Sequence, residues 1–176
     1  TSGYLVGIDA EGTTRFERQL AEAQQNVFRG GVVREDGVLC CGETSPNPDR
    51  RDANEDAWLV AVDSSGREQW STTHDELNGD RLWDVATTGN GSALVVGQTN
   101  VTGQGTQTGL LLSVAADGTV QSSRRTEQLR HGSDPLAALT GVAADGGNYV
   151  ASGLQNVQQG DSGTFRGEGW LLKLAV

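Results

Sequence analysis

An acidic segment near residue 50 carries the clearest metal-binding pattern of this sequence. Asp52, Asn54 and Asp56 stand at alternate positions, which is the D-x-N-x-D spacing that opens a calcium-binding loop. Oxygen ligands at such positions can converge on one hard cation. The segment lacks the central glycine and the closing glutamate of a calcium loop, so a solvated acidic loop is the competing interpretation. Calcium is the one cofactor that the sequence suggests.

Two histidines and their charged neighbours form a second group with chemical potential. His74 is followed by Asp75. Arg130 and His131 are adjacent, and Asp134 follows them closely. We predict that these five residues lie in connecting loops and contribute to ligand binding, with exposed histidines of no special role as the alternative. The sequence has no G-x-S-x-G elbow and no histidine pair at zinc spacing, so these residues do not indicate a catalytic centre.

The charge of the chain restricts its partners. The 176 residues include 23 acidic and 13 basic side chains, for a formal net charge of −10, and Lys173 is the one lysine. Such a surface repels nucleic acids and anionic membranes, and no apolar run is long enough to span a bilayer. Acidic composition with arginine in place of lysine is typical of proteins from high-salt organisms, whereas an ordinary acidic extracellular domain is the alternative.

The elements that must position these residues recur along the chain. Gly12, Gly66 and Gly118 are 54 and 52 residues apart. A second block aligns without a gap at three places, namely 28–42, 83–97 and 139–153. Each block consists of two β-rich runs around a turn that contains glycine, and no helical period is present. We therefore predict one all-β domain over residues 1–176, with repeats at 4–57, 58–109 and 110–169 and a fourth that begins at 170–176.

Two stretches of the repeat are similar to a known family. The first reads Asp56-Ala-Trp58-Leu-Val-Ala-Val-Asp63, with Gly66 and Trp70 after it, and the second reads Asp145-Gly-Gly-Asn-Tyr149-Val-Ala-Ser-Gly153. These resemble the extracellular β-propeller repeats of bacteria and archaea, whose pattern is D-x-W-x-V-K-x-D-x-x-G-x-x-x-W followed by D-G-G-Y-x-V-x-G. The resemblance implies four-stranded antiparallel blades, about three in this chain, as a partial ring or as a ring that chains complete by oligomerisation. It also implies an extracellular or cell-surface location.

Aromatic residues and cysteines in the repeated blocks are expected in the core. The four tryptophans are predicted to lie between sheets rather than to bind sugars: Trp58, Trp70, Trp83 and Trp170. Cys40 and Cys41 are neighbours in a predicted strand, so their side chains point to opposite faces and act as small buried hydrophobes.

The connections between strands indicate where a ligand would bind. In a meandering antiparallel sheet the tight glycine turns fall at one edge, and the connections of variable length fall at the other. The variable connections are predicted at about 17–27, 43–56, 71–81, 98–108, 123–138 and 154–168. Variation of loops on one edge of a fixed scaffold is where repeat proteins place specificity.

Three functions are compatible with these features. The first is a non-catalytic binding or scaffold module whose partner is a cell-surface protein, a glycan or a second copy of the chain. The second is the propeller part of a polysaccharide hydrolase or lyase, which needs two carboxylates at one cavity. Its candidate carboxylates are Asp75, Asp80, Glu127 and Asp134. The third is a self-assembling structural unit whose chains complete one another.

Overall fold

A computed structural model shows a chain built from antiparallel β-sheets. It describes residues 1–46, 55–88, 90–102, 106–126, 136–145, 148–159 and 165–175. Strands make up 75% of it, in four sheets, and the described ranges contain no helix. The predicted all-β class is confirmed. The described residues accordingly include no helix that could cross a membrane.

Within each sheet, neighbouring strands are consecutive along the chain, and the four sheets also follow one another in chain order. Sheet 1 contains β1 (Gly3–Ile8) and β2 (Thr14–Leu20). Sheet 2 contains β3 (Gln25–Arg34), β4 (Gly37–Ser45), β5 (Asp56–Asp63) and β6 (Glu68–His74). Sheet 3 contains β7 (Asn78–Thr87), β8 (Ala93–Thr102), β9 (Thr106–Val114) and β10 (Val120–Arg125). Sheet 4 contains β11 (Leu136–Asp145), β12 (Asn148–Gln159) and β13 (Phe165–Ala175).

One tight turn occurs four times with the same hydrogen bonds. The N–H of Gly12, Gly66, Gly91 and Gly118 donates to the carbonyl three residues earlier, at 2.9–3.0 Å. These glycines have φ between 77° and 88°, a conformation that costs side-chain-bearing residues energy. All four turns follow odd-numbered strands, which run in one direction within these antiparallel meanders, so the turns lie at one edge of their sheets, here called the turn edge. The opposite edge, where the variable connections begin and end, is called the loop edge.

The first strand of sheets 2, 3 and 4 contains the same β-bulge. Pairing shifts after Phe28, Leu82 and Leu139, whose partners are Gly42, Gly97 and Gly153. The predicted gapless alignment is therefore wrong by one residue in sheet 3, because Leu82 and not Trp83 occupies the place of Phe28. Arg29, Trp83 and Thr140 are the extra residues of the three bulges. A bulge redirects its side chain, and Trp83 is half-buried while the preceding Leu82 is fully buried.

The core lies between successive sheets, because each inner sheet is apolar on both faces. We call the face toward the preceding sheet the rear face and the face toward the following sheet the forward face. On β5, Trp58, Val60 and Val62 lie on the rear face and pack against Leu5 and Leu20 of sheet 1.

The other two junctions repeat this arrangement. Between sheets 2 and 3 the forward-face residues Leu39, Cys41, Leu59 and Ala61 meet the rear-face residues Val95, Leu110, Leu112 and Val114. Between sheets 3 and 4 the forward-face residues Leu94, Val96 and Leu111 meet the rear-face residues Tyr149, Ala151 and Leu172.

The predictions for buried cysteines and tryptophans are confirmed in part. Cys40 and Cys41 are buried and free, and burial raises the pKa of Cys40 to about 11 and that of Cys41 further. Trp58 is fully buried and stacks on Phe28 with ring centroids 4.6 Å apart. Trp70 packs against the cluster between sheets 2 and 3 and donates Nε1–H to Ala116 O at 3.1 Å. The Trp170 side chain lies outside the described residues.

Two of the turn glycines provide a matched pair of substitutions. A Cβ atom at Gly118 would lie 2.6 Å from the Trp70 ring, whereas a Cβ at Gly12 would meet nothing within 4 Å. Both residues have similar positive φ. We expect Gly12→Ala to lower the free energy of unfolding by about 1 kcal/mol through backbone strain alone, and Gly118→Ala to lower it by about 3 kcal/mol through strain and overlap. Urea denaturation measures both. Equal losses would contradict this packing of Trp70 on the β9–β10 turn.

Candidate functional site

The loop edge brings three of the predicted site residues into one region. His74 is the last residue of β6 and is half-buried, Asp75 follows it and is exposed, and Asp56 begins β5. Partial burial raises the pKa of Asp56, and the negative charges of Asp75 and Asp80 raise it further. The other predicted site residues lie outside the described residues: Asp52, Asn54, Arg130, His131 and Asp134.

Two buried side chains hold the connections that lead into the first strands of sheets 2 and 3. Asn26 Oδ1 accepts hydrogen bonds from the N–H groups of Glu22 and Ala23 at 2.8 and 3.1 Å, and from the Thr44 hydroxyl at 2.9 Å. Asp80 Oδ2 accepts from the N–H groups of Glu76 and Leu77 at 2.6 and 3.4 Å.

Asn26 and Asp80 occupy equivalent positions on the first strands of their sheets. Each lies two residues before the residue that precedes the bulge, namely Phe28 in sheet 2 and Leu82 in sheet 3. Each holds the connection that precedes its own strand. Both side chains therefore have a structural role, here called the staple role, which is to hold a connection by accepting hydrogen bonds from its N–H groups.

Burial decides the electrostatic state of Asp80. The residue is 0% exposed, and this burial raises the pKa of its carboxyl group. The neighbouring Thr99 hydroxyl and the two backbone donors oppose the rise. A carboxyl group without solvent access, committed to loop N–H groups, cannot act on a polysaccharide. Asp80 is therefore not accessible for the predicted hydrolase or lyase chemistry, Asp75 is exposed, and the candidates Glu127 and Asp134 lie outside the described residues.

A second cluster at the loop edge connects the outer strands of sheets 2 and 3. The Glu76 carboxylate accepts a hydrogen bond from the Ser123 hydroxyl and lies 3.2 Å from His74 Nε2 and 3.9 Å from Arg125 Nε. Partial burial raises the pKa of Glu76, but the bonds from Ser123 and His74 and the charge of Arg125 outweigh it and lower that pKa below its ordinary value. The carboxylate stands between serine and histidine, so this is a charge-pairing cluster rather than a serine–histidine nucleophile pair.

The bulges place a cation and an aromatic ring side by side. The Arg29 guanidinium carbon lies 4.4 Å from the centroid of the Trp83 ring, which is a cation–π contact between sheets 2 and 3. Arg29 also binds the buried Glu43 carboxylate through Nε and Nη2, and this pairing raises the pKa of Arg29. Trp83 donates Nε1–H to Gln98 Oε1 at 3.2 Å. Guanidinium, ring and amide together form a half-buried polar platform, here called the Trp83 platform.

The loop edge is acidic where it is described. Its carboxylates there include Glu22, Glu43, Glu55, Asp56, Asp75, Glu76 and Asp80, and its guanidinium groups include Arg29, Arg81 and Arg125. Arg81 Nη2 lies 2.5 Å from Glu55 Oε2, so part of this charge is neutralised internally. Within the described ranges no three histidine, cysteine or acidic side chains are arranged to hold a metal ion. Besides Asp56, the predicted calcium site requires Asp52 and Asn54, which lie outside the described residues. The site therefore stays a prediction.

A cavity of about 520 Å³ lies on the turn edge, away from these clusters. Arg34 and Asp36 from sheet 2 and Thr88 and Asn90 from sheet 3 contribute to its lining. Two pairs of its polar groups bind one another, since Arg34 pairs with Asp36 at 2.9–3.0 Å and Thr88 donates to Asn90 at 2.6 Å, whereas Arg34 Nη1 is buried without a hydrogen-bond partner. The loop edge, together with the partly exposed Trp83 platform, is the stronger candidate for a binding surface.

Sequence reasoning missed most of the residues that form these clusters. A visible signal existed for Asn26 and Asp80, because each follows a glutamate by four residues, at Glu22 and Glu76. Glu43 also interrupts a run of small and apolar residues in β4, which marks a charge that needs a buried partner. Arg29 and Trp83 could not be paired from the sequence, because the bulge register was misaligned.

Comparisons with known proteins do not assign the chain to a family. No protein-family model matches it, and no curated protein matches it. The chemistry of the loop edge is therefore argued from its geometry.

The pH dependence of the free energy of unfolding tests the staple role of Asp80. Because burial raises its pKa above the unfolded value, ionisation of Asp80 destabilises the fold, and stability associated with the neutral acid is lost as pH rises through the folded pKa. We expect Asp80→Asn, which copies Asn26, to be at least as stable as the wild type at pH 7, with the difference shrinking as pH falls. Asp80→Ala should cost about 1–3 kcal/mol because it removes both N–H acceptors.

Chemical denaturation at several pH values measures these effects. A loss for Asp80→Asn as large as that for Asp80→Ala would mean that the negative charge itself is required.

Proposed function

We propose that this protein is a non-catalytic binding module of the β-propeller type, with about three blades in this chain, displayed outside the cell or at the cell surface of a high-salt organism. Its ligand is recognised at the loop edge. The stacking of successive antiparallel sheets supports the propeller assignment, as do the bulge that sheets 2, 3 and 4 share and the turn that sheets 1, 2 and 3 share.

The contrast between constant turns and variable bulge residues is the observation that carries the binding proposal. On the turn edge the same glycine turn recurs with the same hydrogen bond. Near the middle of the first strands of sheets 2, 3 and 4, the three equivalent bulge positions hold an arginine, a tryptophan and a threonine, at Arg29, Trp83 and Thr140. A constant frame that presents variable side chains is how repeat scaffolds produce specificity.

The chemistry of the loop edge favours a neutral, hydroxyl-rich ligand. Its excess of carboxylates disfavours anions, and its guanidinium groups at Arg29 and Arg81 are already paired with glutamates. Trp83 offers part of an aromatic ring beside hydrogen-bonding groups, which suits the apolar face and hydroxyl rim of a sugar. A cell-surface glycan fits better than an anionic polymer, and a basic protein segment is the alternative.

A hydrolase or lyase is less well supported. Such an enzyme needs two accessible carboxylates facing one cavity. Of its four candidate carboxylates, Asp80 is inaccessible, Asp75 is exposed, and Glu127 and Asp134 lie outside the described residues. The described residues thus offer one accessible candidate where two are needed.

Binding to a glycan array tests this proposal. We expect the wild type to bind neutral glycans, and Trp83→Ala to weaken that binding about tenfold or more, because an aromatic anchor of an interface commonly contributes that much. Trp83→Phe should retain part of the affinity. Glu11→Ala, an exposed change at the β1–β2 turn on the opposite edge, is the matched control and should bind as the wild type does.

Two results would contradict the proposal. One is the absence of binding to all glycans and to cell-surface protein. The other is binding that Trp83→Ala leaves unchanged.

A further inference from the structure

The two end sheets of the chain expose apolar side chains on the faces that the inner sheets bury. On the rear face of sheet 1, Tyr4, Val6 and Ile8 are 55%, 37% and 62% exposed. On the forward face of sheet 4, Val150 and Leu171 are 38% and 76% exposed. Three exposed residues at alternate positions of β1 form a continuous apolar stripe, which is unusual on a soluble surface.

Equivalent residues of the inner sheets show what covers these faces. Strand pairing places Trp170 opposite Gly153, Trp58 opposite Gly42 and Leu110 opposite Gly97. Leu171 therefore corresponds to Leu59 and Leu111, the residues that follow Trp58 and Leu110. Leu59 and Leu111 are 1% and 5% exposed, because each packs on the sheet that follows it.

The rear face of sheet 1 has a matching counterpart in sheet 2. Tyr4, Val6 and Ile8 correspond to Trp58, Val60 and Val62, which are at most 1% exposed. The Tyr4 hydroxyl donates to Glu17 at 2.9 Å across the β1–β2 pair, just as Trp58 Nε1 donates to Ser71 at 3.0 Å across the β5–β6 pair. The same frame thus presents the same stripe twice, once covered and once exposed.

We propose that a second copy of this chain covers these faces, head to tail. The rear face of sheet 1 in one copy packs on the forward face of sheet 4 in the next copy. The contact continues the junctions within the chain, where Leu5 packs on Trp58 and Val60, and Leu111 packs near Leu172. It joins β1 of one copy to β13 of the other, and it requires no strand to leave its sheet.

Charge supports this pairing of two different faces. Lys173 alternates with Leu171 along β13 and shares its face, and it is exposed. Glu17 lies beside Tyr4 on the rear face of sheet 1. Among the described side chains, the two faces therefore carry opposite charges, which favours contact between unlike faces. A heterologous contact of this kind builds a closed ring or a filament rather than a two-fold dimer.

Light scattering during size-exclusion chromatography, over a range of concentrations, tests the proposal. We expect the wild type to form species larger than the 18.5 kDa single chain, with mass rising with concentration. Ile8→Asp and Leu171→Asp each destroy one face and should each reduce the mass to that of the single chain. Val33→Asp is the matched control, because Val33 is 80% exposed but lies on sheet 2, and it should assemble as the wild type does.

A mixture of the two face variants separates head-to-tail assembly from other modes. The Leu171→Asp chain retains its sheet 1 face and the Ile8→Asp chain retains its sheet 4 face. Mixed together, they should form a capped pair of about twice the single-chain mass, although neither associates alone. Far-ultraviolet circular dichroism confirms that each variant is folded.

Three outcomes would overturn the proposal. The first is a wild type that stays a single chain at all concentrations, as expected if another protein or a further sheet covers these faces. The second is association that Leu171→Asp leaves intact, which would indicate sheet 1 packing on itself. The third is a mixture of the variants that forms no pair.

Discussion

The structure depends on one constraint, which is that a β-sheet apolar on both faces must be covered on both sides. Sheet 2 shows the constraint fully, since Trp58 and Val60 face sheet 1 while Leu59 and Ala61 face sheet 3. At about 25 cal/mol per Å² of apolar surface removed from water, such two-sided burial is the dominant favourable term for these strands. A sheet of this kind is stable only within a stack, so stacking and folding are one event.

The same constraint explains the positions of polar groups in the core. Asn26 and Asp80 lie where strands enter the stack, and their side chains satisfy backbone N–H groups that packing would otherwise leave without partners. The Arg29–Glu43 pair and the Glu76 cluster bridge strands or sheets at the same edge. The turn edge combines glycine and main-chain hydrogen bonds with exposed or partly exposed acidic side chains, such as Asp9 and Asp63, that accept from turn N–H groups. Buried polar side chains, in contrast, are concentrated toward the edge where the connections vary.

Much of the architecture was predictable from the sequence, because it follows from alternation and glycine spacing. The strand runs around Gly66 and Gly91, the antiparallel order and the opposite faces of Cys40 and Cys41 all follow from short-range pattern. The register of Trp83 was not predictable from the sequence. After the bulge, the first two strands of sheet 3 form one residue pair fewer than those of sheet 2, but the turn between them is longer, so the repeat length is almost unchanged. Trp83 therefore contacts Arg29 of sheet 2 and is only half-buried, although the sequence predicts it in the core.

The candidate site was less predictable than the fold, because it is formed by contacts between sheets. His74 and Asp75 are predicted from residue type alone, yet the groups around them are Glu76 in the connection after β6 and Ser123 and Arg125 on β10 of sheet 3. The distance between these residues along the chain carries no information about their contact. Charge pairing between strands of different sheets becomes visible only when the stacking order is known.

Hydrogen exchange of backbone amides at increasing protein concentration tests the central claim, that these sheets are held by covered apolar faces, most directly. The account predicts that amides of β5, β8 and β9 are strongly protected at every concentration, and that protection of β1 and β13 is weak at low concentration and rises with it. Protection of β1 and β13 as strong as that of β5 at the lowest concentration would contradict the account.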